Sequence, residues 1–190
     1  MSKIKVCIDA GHGGKDAGAV NGSRYEKTDT LKIAKRLGKV LKANGIDVCY
    51  TRTKDIYDSP SDKAKKGNAS KADYFISIHR NAATSSIANG TEVLICNTKN
   101  KKYEIAKAIC KQFNERNGFT DRGVKMRNDV AVLNQTNMPA ILVEVGFISC
   151  KQDNELLDAN FASVVNSIAR GFMQTIGLKF KTLTQLGLAK

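Results

Sequence analysis

The sequence contains no tryptophan, only two histidines and no long hydrophobic run. Because no apolar stretch approaches the roughly 20 residues that cross a bilayer, we expect no insertion into a membrane. The apolar stretch near the N-terminus is interrupted by Asp9, too early for the core of a secretory signal. The sequence therefore predicts cytoplasmic synthesis without a classical signal peptide, and an activity outside the cell would require another route of release.

The five cysteines are an odd number, lie far apart and include no Cys-x-x-Cys pair. This pattern favours buried, reduced thiols that act as small hydrophobic residues. Cys150 alone is near a polar, loop-like stretch, which leaves it open as a nucleophile. A cysteine–histidine hydrolase that uses Cys150 and His79 is a minor alternative, because no nearby group is identifiable that would lower the thiol pKa.

The chain is strongly basic, with 31 lysines and arginines against 18 acidic residues and a formal net charge of +13. A field of this sign attracts polyanions. Only 6% of the residues are aromatic, and no basic stretch interleaves with aromatic residues as a stacking platform for nucleic acid does. Nucleic acid is therefore a disfavoured partner, and a basic α/β domain that binds polyanions or nucleic acid without catalysis is the alternative to an enzyme.

Short apolar strands alternate with amphipathic helices over 190 residues, of which 42% are hydrophobic, enough for one domain with a sizeable core. Strands are predicted at 5–10, 47–52, 74–79, 91–96 and 140–147. Helices are predicted at 29–43, around 105–113 and at 161–176 after an Asn160 cap, whereas 121–136 indicates short strands and turns. This alternation predicts a single-domain α/β fold with a mixed, mostly parallel twisted sheet and helices on both faces. We assign residues 1–178 to this domain and 179–190 to a tail or linker stub.

Both histidines follow predicted strands. His12 lies in the glycine-rich segment after strand 5–10, and His79 closes strand 74–79. In open α/β sheets the carboxyl ends of the strands form the ligand-binding crevice, so the two imidazoles can meet there. The glycine-rich segment is not a phosphate-binding loop, because Asp16 stands where the dinucleotide pattern requires glycine and the P-loop spacing is absent.

Two acids complete a candidate site. Glu144 lies inside the most apolar strand, where an unpaired buried carboxylate is costly, so it must be paired, metal-bound, protonated or exposed at the strand end. Glu26 precedes the first helix within reach of the His12 loop, although a solvated acid at a helix start is the more ordinary explanation of its position. His12, Glu26 and His79 would form a Zn²⁺ set with a fourth position open for water, which would leave Glu144 as a general base.

Four motifs follow one another along about 140 residues: IDAGHGGKDAGA (8–19), YEK (25–27), FISIHRNA (75–82) and VEVGFIS (143–149). Together they resemble, in type and order, the zinc-dependent N-acetylmuramoyl-L-alanine amidases of the amidase-3 type. The resemblance extends from Lys3 to about Leu178.

The resemblance implies that His12, Glu26 and His79 hold one Zn²⁺ per chain. It also implies that the amide between N-acetylmuramic acid and L-alanine is cleaved, with Glu144 taking a proton from the attacking water and delivering it to the leaving amine. Asn81 is expected to contact the substrate, although an asparagine after a strand can equally form a turn.

The resemblance further implies a setting for the enzyme. Its partners would be peptidoglycan and anionic wall polymers, whose encounter with the chain the positive charge would accelerate. A basic amidase without an export signal resembles a phage endolysin or a bacterial autolysin that reaches the wall after release and lyses the cell. A C-terminal wall-binding module is common in both, and the tail after Leu178 is where one would be attached.

Two segments depart from the family pattern. Arg80 stands where the family usually has a small or neutral residue, which bears on packing around the site or on subsite preference. Residues 59–66 match only loosely the family's helix before the strand of His79.

Overall fold

A central sheet of six strands organises the computed structural model, which describes residues 3–85 and 87–188. In chain order the strands are β1 (Lys5–Ala10), β2 (Val20–Asn21), β3 (Arg24–Tyr25), β4 (Asp47–Tyr50), β5 (Tyr74–Asn81), β6 (Thr91–Ile95), β7 (Asp121–Met126) and β8 (Ala140–Phe147), of which β2 and β3 form a separate hairpin. The predicted bounds of β1 and β8 agree with the structure residue for residue. The prediction overran β4 and β6 and stopped short of the end of β5.

The sheet order is β4-β1-β5-β8-β6-β7. Neighbouring strands are parallel except for the pair β6–β8, which is antiparallel, so β6 and β7 run opposite to the other four strands. The predicted mixed, mostly parallel sheet is therefore confirmed.

Helices cover both faces of the sheet, as predicted. They are α1 (Glu26–Ala43), α2 (Pro60–Ala69), α3 (Lys102–Asn117), α4 (Ala131–Asn134), α5 (Lys151–Ala159) and α6 (Phe161–Thr175). The large hydrophobic cluster lies between the sheet and α1, α3 and α6, whereas a smaller cluster lies on the opposite face, where α2 contacts α4. No helix within the described residues is long and apolar enough to span a membrane.

The alternation of side chains along the strands decides which residues face the smaller cluster. Ile78 in β5 and Val143 in β8 belong to the large cluster. Their neighbours His79 and Glu144 therefore lie on the opposite face, which we call the α2 face. The two strands are parallel and place His79 directly opposite Glu144.

Helices α2, α4 and α5 were not among the predicted helices, and other local features also differ from the prediction. Helix α1 begins at Glu26 rather than at residue 29, so this acid belongs to the first helical turn. The hairpin β2–β3 was not predicted, because strands of two residues carry no detectable period. Asn160 occupies the N-cap position of α6, as predicted, but its side chain makes no capping hydrogen bond. Asn160 also ends α5, and its backbone is not in the extended conformation that a capping side chain requires.

The segment after Leu178 packs onto the body of the molecule up to residue 188. Leu183 is 3% exposed and belongs to the large cluster. The side chain of Asn44, just after α1, donates to the carbonyl of Lys181 at 2.9 Å and accepts from its N–H at 2.8 Å. The described part of the predicted tail is therefore docked beside the end of α1 rather than free.

Candidate active site

The loop after β1 presents His12. His12 has a positive φ of 59°, a backbone conformation that L-residues with side chains rarely adopt. Its Nδ1 lies 2.8 Å from Oδ2 of Asp16, which fixes the ring and leaves Nε2 to face the site. A Cβ on the preceding Gly11 would lie only 2.5 Å from the imidazole of His79, so only glycine allows this approach.

Glu26 is buried at the start of α1 and is held from both sides. Its Oε2 accepts from the N–H of Ala19 and its Oε1 from the N–H of Arg80, each at 2.9 Å. The same two oxygens lie 3.1 Å from Nε2 of His12 and 2.9 Å from Nδ1 of His79. Burial by itself would raise the pKa of Glu26, but hydrogen bonds and charge from the two imidazoles lower this pKa far below its ordinary value.

The three residues form a metal-competent cluster. One ligand atom from each of His12, Glu26 and His79 lies within 4.8 Å of the others, and this is the one such group of three found in the described ranges. The imidazole rings meet edge to face with their centroids 4.9 Å apart. Two imidazoles and one carboxylate, with a second carboxylate orienting one ring, match the donor set of a catalytic zinc site that keeps a position open.

Glu144 faces this cluster from β8. Its Oε2 is buried and has no hydrogen-bond partner among the described residues. Desolvation raises the pKa of Glu144 to about 7; the imidazole of His79 opposes this rise, whereas the carboxylates of Glu26 and Glu92 add to it. A carboxylate with such a pKa can both accept and return a proton near neutral pH.

A cavity of about 410 Å³ opens beside these groups and continues along the α2 face of the sheet. One end is lined by His12, His79 and Glu144. The other end is lined by Leu94 and Leu142 of the sheet and by residues 127 and 129–132, which follow β7. The cavity is thus a trough across the sheet face rather than a pit at the strand ends.

Sequence reasoning assigned no role to Lys63, which lies within the loosely matching segment 59–66. Lys63 is 3% exposed, lines the cavity, and lies 3.3 Å from the buried carboxylate of Asp9. Desolvation lowers the pKa of Lys63, and the charge of Asp9 opposes this effect. The available signal was its spacing, because Lys63 shares one face of α2 with the buried small residues Ala64 and Gly67.

Three other residues singled out from the sequence lie away from the cavity lining. The side chain of Arg80 is fully buried on the face opposite the cavity, where it donates to Asp29 and to Asn154, each at 2.6 Å. The amide of Asn81 donates to Glu92 at 2.9 Å, and Cys150 is buried at the start of α5. None of the three is among the residues that line the cavity.

A three-donor metal cluster beside a buried carboxylate, in a trough on an α/β sheet, defines a hydrolase of the metal-assisted class. The family described as N-acetylmuramoyl-L-alanine amidase (Amidase_3) matches residues 6–174. The chain belongs to this family and is an N-acetylmuramoyl-L-alanine amidase, an enzyme that hydrolyses peptidoglycan.

Relatives of known name support this assignment. The chain is 36% identical over 190 residues to an endolysin of Bacillus phage SPP1, covering 96% of this chain and 69% of the relative. It is 38% identical over 156 residues to the probable cell wall amidase LytH of Staphylococcus epidermidis, covering 80% of this chain and 51% of that protein. The catalytic domain of the amidase CwlV from Bacillus (Paenibacillus) polymyxa superimposes with a TM-score of 0.85 at 36% identity, covering 93% of this chain and 99% of that domain.

Proposed function

We propose that His12, Glu26 and His79 hold one catalytic Zn²⁺ and that Glu144 is the general base and acid of the amidase reaction. The observation that carries this proposal is the buried, unpartnered Oε2 of Glu144, which faces the three-donor cluster across one cavity. A carboxylate that only stabilised the fold would have a partner for that oxygen.

Each residue then has a separable task. When bound, Zn²⁺ supplies a Lewis acid that polarises the scissile carbonyl and lowers the pKa of water. Asp16 holds the tautomer of His12 that keeps Nε2 available, and the N–H groups of Ala19 and Arg80 orient the carboxylate of Glu26.

Glu144 moves the proton. Its carboxylate accepts a proton from the attacking water and delivers it to the nitrogen of L-alanine as the amide bond breaks. Desolvation, which raises the pKa of Glu144, favours this transfer, since an ordinary glutamate would be too acidic to hold the proton between its two halves.

Substitution of the two classes of residue separates their tasks. We expect Glu144→Gln to retain Zn²⁺ and to lose at least about 100-fold in turnover, the lower range for a general base. We expect His79→Ala to lose the metal. The measurement counts N-terminal alanine amines and reducing sugar ends released from purified Gram-positive walls, together with zinc content per chain.

The matched control is Glu155→Gln, which changes an exposed carboxylate of α5 in the same chemical way. Dialysis against a chelator is expected to abolish alanine release from the wild type, and added Zn²⁺ is expected to restore it. Full activity and equal zinc content in Glu144→Gln and His79→Ala would contradict the assignment.

The site of action in this proposal is the bacterial cell wall, reached after release of the enzyme, with lysis of the cell as the result. The relatives named endolysin and cell wall amidase support this role. The anionic polymers of the wall are its second partner, and charge on one helix is the feature that favours them.

Helix α1 carries a basic ridge, which we define as Lys32, Lys35, Arg36, Lys39 and Lys42. Four of the five side chains are exposed, and none forms an ion pair with the described residues. No acidic residue follows Asp29 within α1, whereas α3 includes the acids Glu104 and Glu115 among its lysines. The ridge is thus the helix face best suited to a polyanion.

A charge-reversal pair tests the ridge. Lys35→Glu/Lys39→Glu/Lys42→Glu is compared with Lys99→Glu/Lys107→Glu/Lys111→Glu, which makes the same change in net charge near and on α3. Both are made in the Glu144→Gln background so that the wall is not digested, and cosedimentation with walls is measured at about 0.15 M salt, where the Debye length is about 8 Å. We expect the ridge variant to bind at least about fivefold more weakly than the α3 variant, because screening confines the effect of charge to its neighbourhood.

Removal of phosphate polymers from the walls with hydrofluoric acid is expected to abolish the difference between the two variants. Equal binding of the two variants to untreated walls would show that only net charge matters. This result would contradict the proposal that the basic ridge binds the anionic wall polymers.

A further inference from the structure

Lys63 is connected to the loop that carries His12. Its Nζ donates to the carbonyl of Ala10 at 2.6 Å and to the carbonyl of His12 at 3.1 Å, and it lies 3.3 Å from Oδ1 of Asp9. The side chain of Lys63 is 4% exposed and that of Asp9 is 1% exposed. A cation is retained in such a place only when its neighbours satisfy it fully, and here three acceptors match the three hydrogens of the ammonium group.

The backbone that Lys63 holds is unusual. His12 has its positive φ between Gly11 and Gly13, and a strained conformation of this kind persists only where the surroundings impose it. Arg52, which follows β4, donates to the carbonyls of Ala10 and Gly11 at 3.0 and 2.9 Å. Lys63 and Arg52 thus donate hydrogen bonds to three consecutive backbone carbonyls, those of residues 10 to 12.

Asp9, the carboxylate beside Lys63, is itself held in place by hydrogen bonds. Asp9 accepts from the hydroxyls of Thr51 and Ser77, each at 2.6 Å. The ammonium group of Lys63 is therefore anchored on β1, β5 and the end of β4 at the same time. Movement of Lys63 would displace the carbonyl of His12 without touching the donor atoms of Glu26 or His79.

We propose that Lys63 is a positioning residue that fixes the backbone of His12 so that its imidazole points into the metal cluster. This inference rests on the proposed zinc site. Lys63 also lines the cavity, but its three hydrogens are all engaged, which leaves none for a substrate oxygen. Its effect on the reaction is therefore exerted through His12.

The test compares Lys63→Met, Lys63→Arg and the double variant Asp9→Asn/Lys63→Met. Zinc affinity is measured by competition with a chromophoric chelator, and kcat and KM are measured at saturating zinc. Unfolding of the metal-free proteins is followed in parallel. The double variant is needed because Lys63→Met alone leaves Asp9 as an unpaired buried charge, which can prevent folding.

We expect the double variant to fold and to bind zinc at least about tenfold more weakly than the wild type, as loss of a group that orients a metal ligand does. At saturating zinc, kcat is expected to fall while KM changes less than twofold. Lys63→Arg, which keeps the charge and the donors, is expected to recover part of the lost affinity. The matched control is Lys66→Met on the same helix, whose lysine contacts Thr51 and Asp58 but not the His12 loop, and wild-type zinc affinity is expected there.

Wild-type zinc affinity in a folded double variant would overturn the positioning role, as would a change confined to KM. These results differ from those expected if the proposed zinc amidase function were wrong. In that case the wild-type protein itself would bind no zinc or release no alanine amines.

Discussion

At the scale of the residue, the presence of a charge did not predict whether a side chain is exposed or buried. Glu144 was identifiable because an acid inside an apolar strand requires a reason. Lys63 was not, because a lysine between other lysines on a short helix usually lies in solvent. Arg80 stands beside His79 in sequence but on the other face of β5, so its guanidinium binds α1 and α5 instead of lining the trough.

Arg80 therefore contributes to stability rather than to specificity. We expect Arg80→Met to lower the free energy of unfolding by about 2 kcal/mol, because it leaves Oδ1 of Asn154 without its donor and leaves Asp29 paired with Arg24 alone. The N–H that orients Glu26 is unchanged, so the variant is expected to retain zinc and most of its activity while folded. Urea unfolding and zinc content measure the two effects.

The control for this prediction is Arg36→Met, which removes a half-buried arginine of α1 that forms no ion pair with the described residues. It is expected to change stability by less than about 1 kcal/mol. A substrate preference altered by Arg80→Met, with stability unchanged, would reverse the interpretation.

At the scale of the element, periodic segments were predictable and junctions were not. β1 and β8 were predicted to the residue because each is a mostly apolar run beside a strong breaker, Gly11 after β1 and Pro139 before β8. The start of α1 was missed because its first turn holds Glu26, whose burial depends on residues that are distant in sequence. The reversed direction of β6 and β7 could not be read from the sequence, since apolar strands in either direction look alike.

That reversal has a direct effect on the trough. Because β7 runs against β8, the residues that follow it begin beside Ile95 and turn over the α2 face. Residues 127 and 129–132 thereby become part of the lining of the cavity that also contains His12, His79 and Glu144.

At the scale of the whole molecule, the described tail belongs to the fold. The weak periodicity of this segment predicted a tail or linker. Periodicity, however, does not reveal a single side chain that packs into the hydrophobic core. Leu183 does this, next to the end of α1. The boundary of the folded unit therefore lies beyond residue 178.

We expect Leu183→Ala to lower the free energy of unfolding by about 2 kcal/mol, the lower end for removal of a buried leucine. Leu188→Ala is the control, because this leucine of the same segment is 49% exposed. Thermal and urea unfolding give the comparison. Equal stability of the two variants would mean that the segment is not part of the core in solution.

The parallel register that sets His79 opposite Glu144 also bears on when the enzyme becomes active. Parallel strands cannot pair through a tight turn, and pairings that close long loops form late in folding. A chain still emerging from the ribosome carries the three proposed metal ligands well before it carries Glu144. The candidate site is therefore complete only after β8 has paired with β5, and we expect no activity from a chain that ends before residue 144.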